Sequence, residues 1–221
     1  MLILSPERAN RFASFDYCFN FFQSFRQKGQ IASLANIERS CLELGAYLAS
    51  WGMFRASSFL LQKKSMRHFQ AVIHVIASKE LYPLWDIDCD DYNAYAKMQL
   101  RNAYRAIRSA VVPDRETHLT LVTKILLGVF ACLPAFDSRF TDTMRSYGSR
   151  QGWQCRFRSF NDESLDGIAA FYRAHKKVVN RWSRKTKTFD FRTGNRTDYN
   201  YTKAKIVDMI AFQANGRIVE S

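Results

Sequence analysis

The sequence predicts an all-α fold: a single-domain multi-helix bundle over residues 1–221, with a small C-terminal β-hairpin set into it as a basic, aromatic appendage at residues 183–205. Three observations predict it. Apolar residues recur at helical spacing through most of the chain. Ser, Thr, Asp or Asn precede many of these runs, and Gly or Pro often follows them, as helix starts and stops require. One stretch, Lys187 to Tyr201, alternates with period two instead. With 221 residues and 47% apolar content, the chain is long enough for one core and too apolar to be disordered.

Taken in order, Ser5-Pro6-Glu7 reads as a helix start, with Ser as cap, Pro in the first position and an acid in the first turn. Phe12, Phe15, Phe19 and Phe22 continue it as an aromatic stripe suited to a core, and Gly29 follows as a stop. A second helix begins near Ser33 and carries Ile37, Cys41, Leu44, Leu48 and Trp51 on one face. The pattern predicts further helices over Phe54 to Lys64 and from Met66 through Ile76, the latter ending before Pro83. The acidic run Asp86 to Asp91 reads as the start of a long helix that ends before Pro113, with Arg101, Arg105 and Arg108 aligned on it. Thr117 then caps a nearly all-apolar helix, Leu119 to Phe130, of the kind that occupies a bundle centre, and Pro134 stops it. A shorter helix follows from Asp137 to Tyr147, then a loop from Gly148 to Arg158. Asn161-Asp162-Glu163 starts a helix that runs towards Trp182. In the period-two stretch, a three-residue turn at Gly194-Asn195-Arg196 pairs Phe191 with Tyr199 and Phe189 with Tyr201. That register gathers four aromatics on one face. Thr202 caps a last helix ending at Gly216.

Several function classes are not supported. No apolar run reaches the roughly 18–20 residues of a membrane span, and no secretory leader is visible at the N-terminus. Five cysteines without a Cys-x-x-Cys pair read as reduced thiols in a cytoplasmic protein. Phosphate-loop, dinucleotide, nucleophile-elbow and zinc-protease signatures are missing, and the four histidines have no ligand spacing. The run from Asp86 has Asp91 where a calcium loop needs Gly, and Lys97 where it needs Glu. No metal or cofactor is expected.

Charge is the informative feature. The chain carries 33 Lys and Arg against 20 Asp and Glu, a net +13. Between Arg173 and Lys205 eleven bases face two acids, Asp190 and Asp198. The bases are Arg173, Lys176, Lys177, Arg181, Arg184, Lys185, Lys187, Arg192, Arg196, Lys203 and Lys205, with Trp182, Phe189, Phe191, Tyr199 and Tyr201 among them. Basic groups neutralise phosphates and aromatic faces stack on unpaired bases, so this third is expected to bind nucleic acid, single-stranded RNA or DNA in preference to a structured one. The competing readings are a solvated basic helix beside core-packing aromatics, another polyanion such as an acidic protein partner or a membrane surface, or a helix-packing role as a homodimer or a subunit of a larger complex. An enzymatic alternative rests on Arg67-His68 and His74. Residues 67 and 74 lie seven apart on one helical face, and the spacing resembles the Arg-x4–6-His motif of the helical HEPN RNases. That resemblance implies metal-independent RNA cleavage, with Arg67 stabilising charge and His74 acting as acid or base. Against it, His74 between Ile73 and Val75 reads as a half-buried packing residue.

The segment Tyr47-Leu48-Ala49-Ser50-Trp51-Gly52-Met53-Phe54-Arg55-Ala56-Ser57-Ser58-Phe59-Leu60-Leu61 resembles one typical of a family of uncharacterised bacterial proteins. Leu127 to Asp137 and Lys205 to Met209 are similar to other segments of that family. The resemblance implies a bacterial helical protein and brings no activity with it. Trp51 to Arg55 itself reads either as a tight helix junction or as a pocket wall with Arg55 anchoring an anion.

Overall fold

The computed structural model describes residues 12–26, 29–113, 116–153 and 155–215. Helix α1 (Ala13–Arg26) presents Phe15, Phe19 and Phe22 to the interior. It packs against α2 (Ile37–Ser50) and α6 (Leu119–Phe130). Helix α6 is the centre of the fold, because Leu121 through Phe130 are all buried. Its Gly128 lets α2 come close, since a methyl group there would overlap the ring of Tyr47. Between these helices lie α3 (Phe59–Lys63), a 3-10 turn at Met66–Phe69, α4 (Gln70–Ile76), a second 3-10 segment at Lys79–Trp85, and α5 (Ala94–Val111). The C-terminal half is α7 (Ser138–Arg150), α8 (Asp162–Ala174), α9 (Lys176–Lys185), the hairpin β1 (Lys187–Phe189) and β2 (Arg196–Asn200), and α10 (Lys203–Ala214). The observed architecture is therefore all-α with one small antiparallel hairpin, as the periodicity predicts.

Helix starts follow side-chain capping. Ser58, Asn93, Asp137, Asn161 and Thr202 each accept a backbone N–H from the first turn of α3, α5, α7, α8 and α10. Ser5-Pro6-Glu7 and Gly216 lie outside the described residues. The predicted helix at Phe54 to Lys64 shrinks to Phe59–Lys63, because the Ser58 hydroxyl donates to Met53 O (2.7 Å) and fixes the preceding segment as a turn. The single helix expected from Met66 opens as a 3-10 turn, and Pro83 lies inside the 3-10 segment rather than beyond it. Thr117 does not cap α6; His118 is its N-cap residue, without a side-chain cap bond.

The largest correction concerns the acids at 86–91. They do not open α5, which starts at Ala94 under its own Asn93 cap. Asp88 instead caps a helix more than a hundred residues away: its carboxylate accepts Lys203 N (2.8 Å) and Ala204 N (2.7 Å) at the start of α10. Asp90 pairs with the Lys203 ammonium at 2.6 Å, and Asp86 reaches Arg26 at 3.9 Å. Asp88→Ala is therefore expected to lower stability by about 1–2 kcal/mol. Asp88→Asn, which keeps one acceptor oxygen, should lose less. The urea midpoints of the two variants check this.

Beneath the C-terminal half runs a layer of buried charge. Lys124 pairs with Asp137 (3.1 Å) and Lys205 with Asp208 (3.1 Å). Both ammonium groups lie against the ring of Trp51, at 5.0 and 5.4 Å. Asp208 also accepts Ala135 N at 3.1 Å, which ties α10 to the turn after α6. On the surface, Lys97 and Arg101 of α5 meet Asp166 and Asp162 of α8.

Candidate nucleic-acid interface

The helix expected from Asn161 to Trp182 is two helices. The break is at His175, whose buried ring stacks on Phe171 (4.3 Å between centroids) and meets Tyr147 (5.4 Å), while Nδ1 donates to Phe171 O at 2.9 Å. The backbone leaves helical geometry there (φ −108°, ψ 18°), so α9 sets off as a separate element. Only Val179 of α9 is fully buried; Val178, Trp182 and Ser183 are half-buried on its inner side. The outer side is basic. Lys177, Arg181 and Lys185 repeat every four residues, Lys176 and Arg184 lie beside them, and Arg173 precedes them at the end of α8. Ten residues at 1.5 Å rise make this a positive strip about 15 Å long.

The hairpin beside α9 is held by α1 through contacts absent from the sequence reading. Asp16 and Asn20, one turn apart on α1, bond the main chain of Phe189. Asp16 Oδ2 accepts Phe189 N at 3.0 Å, and Asn20 Nδ2 donates to Phe189 O at 2.8 Å. Asp16 Oδ1 also accepts the Tyr201 hydroxyl at 2.6 Å. A polar pair at i, i+4 on a helix otherwise lined with Phe was the available signal for this anchor. Burial is the main reason the Asp16 carboxyl is pushed up to about 6, against the lowering effect of these hydrogen bonds and of Lys205.

This anchorage changes the register. Lys187 pairs with Asn200 and Phe189 with Arg196, with an irregularity between them, so Thr188 faces three residues of β2. The turn is longer than three residues: Asp190 N donates to Asn195 O (2.8 Å), and Gly194 N (φ 64°) donates to Asp190 O (2.9 Å). The aromatics consequently divide between two sides. Phe189 and Tyr201 turn inward, and Tyr201 is only 2% exposed. Phe191 and Tyr199 turn outward, at 75% and 39% exposure.

Of the residues predicted to bind, Arg173, Lys176, Lys177, Arg181, Arg184, Lys185, Arg192 and Arg196 are exposed. Tyr199 joins them. Lys187 is half-buried and pairs with Asp198 (3.4 Å). Trp182 is half-buried against the core, with Arg181 6.0 Å from its ring. Tyr201 is lost from the surface because Asp16 and Phe15 enclose it. Lys203 and Lys205 are taken up by Asp90 and Asp208. Among the described residues, none of the eight exposed bases takes part in an ion pair. Like charges at i, i+4 destabilise a helix by roughly 0.2–0.5 kcal/mol per pair. The α9 face bears that cost without acids of its own to relieve it.

The two residues of the enzymatic alternative lie on consecutive elements. Arg67 lies in the 3-10 turn and His74 in α4; both are exposed, so His74 is not the packing residue its neighbours suggested. The histidine with a structural bond is His68, whose Nε2 lies 2.8 Å from Val111 O. A separate half-open cleft of about 280 Å³ lies between residues 52–60 and 116–121. Arg55 lines it, as the pocket reading of the Trp51 to Arg55 turn anticipates, but Glu116 lines it too. Arg55 Nε is committed to Gly52 O (2.9 Å), and His118 Nδ1 lies 2.7 Å from the Tyr104 hydroxyl.

Among the described residues, no helix is long and apolar enough to cross a membrane, and no three His, Cys, Asp or Glu side chains form a metal-ligating group. Comparison of the chain with protein-family models, with curated proteins and with solved structures finds no match.

Proposed function

We propose that the protein binds nucleic acid, non-enzymatically, through the outer face of α9 together with the hairpin. The observation that carries this reading is the set of eight exposed bases that form no ion pair among the described residues, Arg173, Lys176, Lys177, Arg181, Arg184, Lys185, Arg192 and Arg196. Some bases elsewhere are paired in the fold, as at Lys97, Arg101, Lys124, Lys203 and Lys205, while others, such as Lys63, Lys64, Arg105 and Arg108, are exposed without an ion pair among the described residues; what sets the α9 and hairpin group apart is that its eight bases fall within residues 173–196. A row of unneutralised cations on a rigid helix matches a row of phosphates, and counterion release supplies the binding free energy.

Replacing Arg181, Arg184 and Lys185 together by Ala tests it. All three are exposed, so folding should be unaffected. Affinity for a labelled oligonucleotide, followed by fluorescence anisotropy, should fall at least tenfold. The slope of log affinity against log salt should flatten by about 2, near 0.7 for each lost phosphate contact on a single strand. Unchanged affinity and slope would overturn the proposal.

A further inference from the structure

We infer that the hairpin tip is the base-binding element of this surface: Phe191, backed by Tyr17, takes the face of an unpaired base from a single strand whose phosphates lie on α9. This inference rests on the proposed nucleic-acid binding and adds what kind of nucleic acid is selected.

Phe191 is three-quarters exposed, yet it does not sit on a loose loop. The Asp190 carboxylate accepts Arg192 N (3.1 Å), Thr193 N (2.8 Å) and the Thr193 hydroxyl (2.9 Å). The Thr193 hydroxyl in turn accepts Asn195 N at 3.2 Å. The tip is thus braced from within. The Phe191 ring meets Tyr17 of α1 edge to face, with centroids 5.0 Å apart and planes at 88°. That contact fixes the orientation of the Phe191 ring while leaving most of it to solvent. Tyr199 makes a similar edge-to-face contact with Phe19 of the same helix at 6.2 Å.

A large apolar ring held out in water costs free energy, and burial by an incoming flat partner recovers it. The surroundings specify that partner. Arg192 follows Phe191 in the turn and Arg196 opens β2, both exposed, and β2 packs against α9, the helix that carries the row of cations. The occupant must therefore combine flat, apolar faces with regularly spaced negative charge. A single strand offers both. A duplex offers the charge but keeps its base faces stacked inside, and an acidic peptide offers charge without the faces.

The test uses the intact chain with three labelled probes: oligo(dT) and oligo(U) of about 15 nucleotides, and a duplex of the same length. Wild type should bind one or both single strands more tightly than the duplex. Phe191→Ala should lose about tenfold on the single strand it favours, with duplex affinity and salt slope unchanged. Phe191→Trp should retain or exceed wild-type affinity, whereas Phe191→Leu should behave like the Ala variant, because it keeps apolar bulk without a stacking face. Equal single-strand affinity of wild type and Phe191→Ala, or full activity of Phe191→Leu, would overturn the inference and leave the basic-face proposal standing. Failure of wild type to bind any probe, or displacement of all probes by poly-glutamate at equal charge, would overturn both.

Discussion

Asp16→Asn is expected to remove a pH-dependent strain from the fold, with its largest effect at neutral pH. The Asp16 carboxyl is buried and pushed up to about 6 from an ordinary 3.8, first by desolvation. An acid whose folded value is raised favours the native state while protonated. Its contribution is fully present below the unfolded value near 4 and is lost as pH rises through about 6. A shift of this size corresponds to about 3 kcal/mol. Asparagine can still accept Phe189 N through its oxygen and can donate to the Tyr201 hydroxyl through its amide, so the hairpin anchorage survives. The difference in unfolding free energy, Asp16→Asn variant minus wild type, should therefore rise by about 3 kcal/mol between roughly pH 3.5 and 7. Urea denaturation across that range measures it, and a flat difference would show that Asp16 is not a buried, costly anion.

Asp208→Ala should act in the opposite direction and cost the fold about 3–5 kcal/mol. The carboxylate serves two partners that water does not reach: the Lys205 ammonium at 3.1 Å and Ala135 N at 3.1 Å. Truncation leaves a cation on a 3% exposed lysine without its closest counter-charge and orphans a buried N–H. The aromatic faces of Phe15 (4.4 Å) and Trp51 (5.4 Å) soften that loss without replacing an anion. Asp208→Asn keeps the acceptor for Ala135 N and should fall between wild type and Ala. The surface pair Lys97–Asp166 sets the contrast, since Lys97→Ala should cost no more than about 1 kcal/mol. Similar losses for Asp208→Ala and Lys97→Ala would contradict the buried-layer description.

Signals that act over one or two turns were legible in the sequence. The Phe stripe of α1, the all-apolar α6, the Asn161 start of α8 and the Thr202 cap of α10 all appear where local patterning puts them. What the sequence hid is tertiary. Asp88 has the composition of a helix start, but its acceptor oxygens serve α10. Nothing in the run from Phe171 to Trp182 marks His175 as a break until its ring is seen stacked between two helices. Alternation favours a hairpin register that clusters four aromatics. The fold instead satisfies the Phe189 main chain from Asp16 and Asn20, and that anchorage divides the rings into an inner pair and an outer pair. Most of the candidate surface was readable because exposed Lys and Arg need no partners to be located. Tyr201 was not, because alternation alone does not say which face of a two-stranded sheet is covered. Tyr17, which holds Phe191, was hidden because its role depends on where the tip lands.

The measurement that bears most directly on the central claim is the salt dependence of wild-type binding to a single-stranded oligonucleotide, by anisotropy from about 50 to 200 mM salt. Engagement of most of the eight exposed bases predicts a log–log slope of about −5, a loss of roughly a thousandfold across that range. No detectable binding at the low-salt end, or an affinity that salt leaves unchanged, would contradict the assignment of the α9 and hairpin surface to nucleic acid.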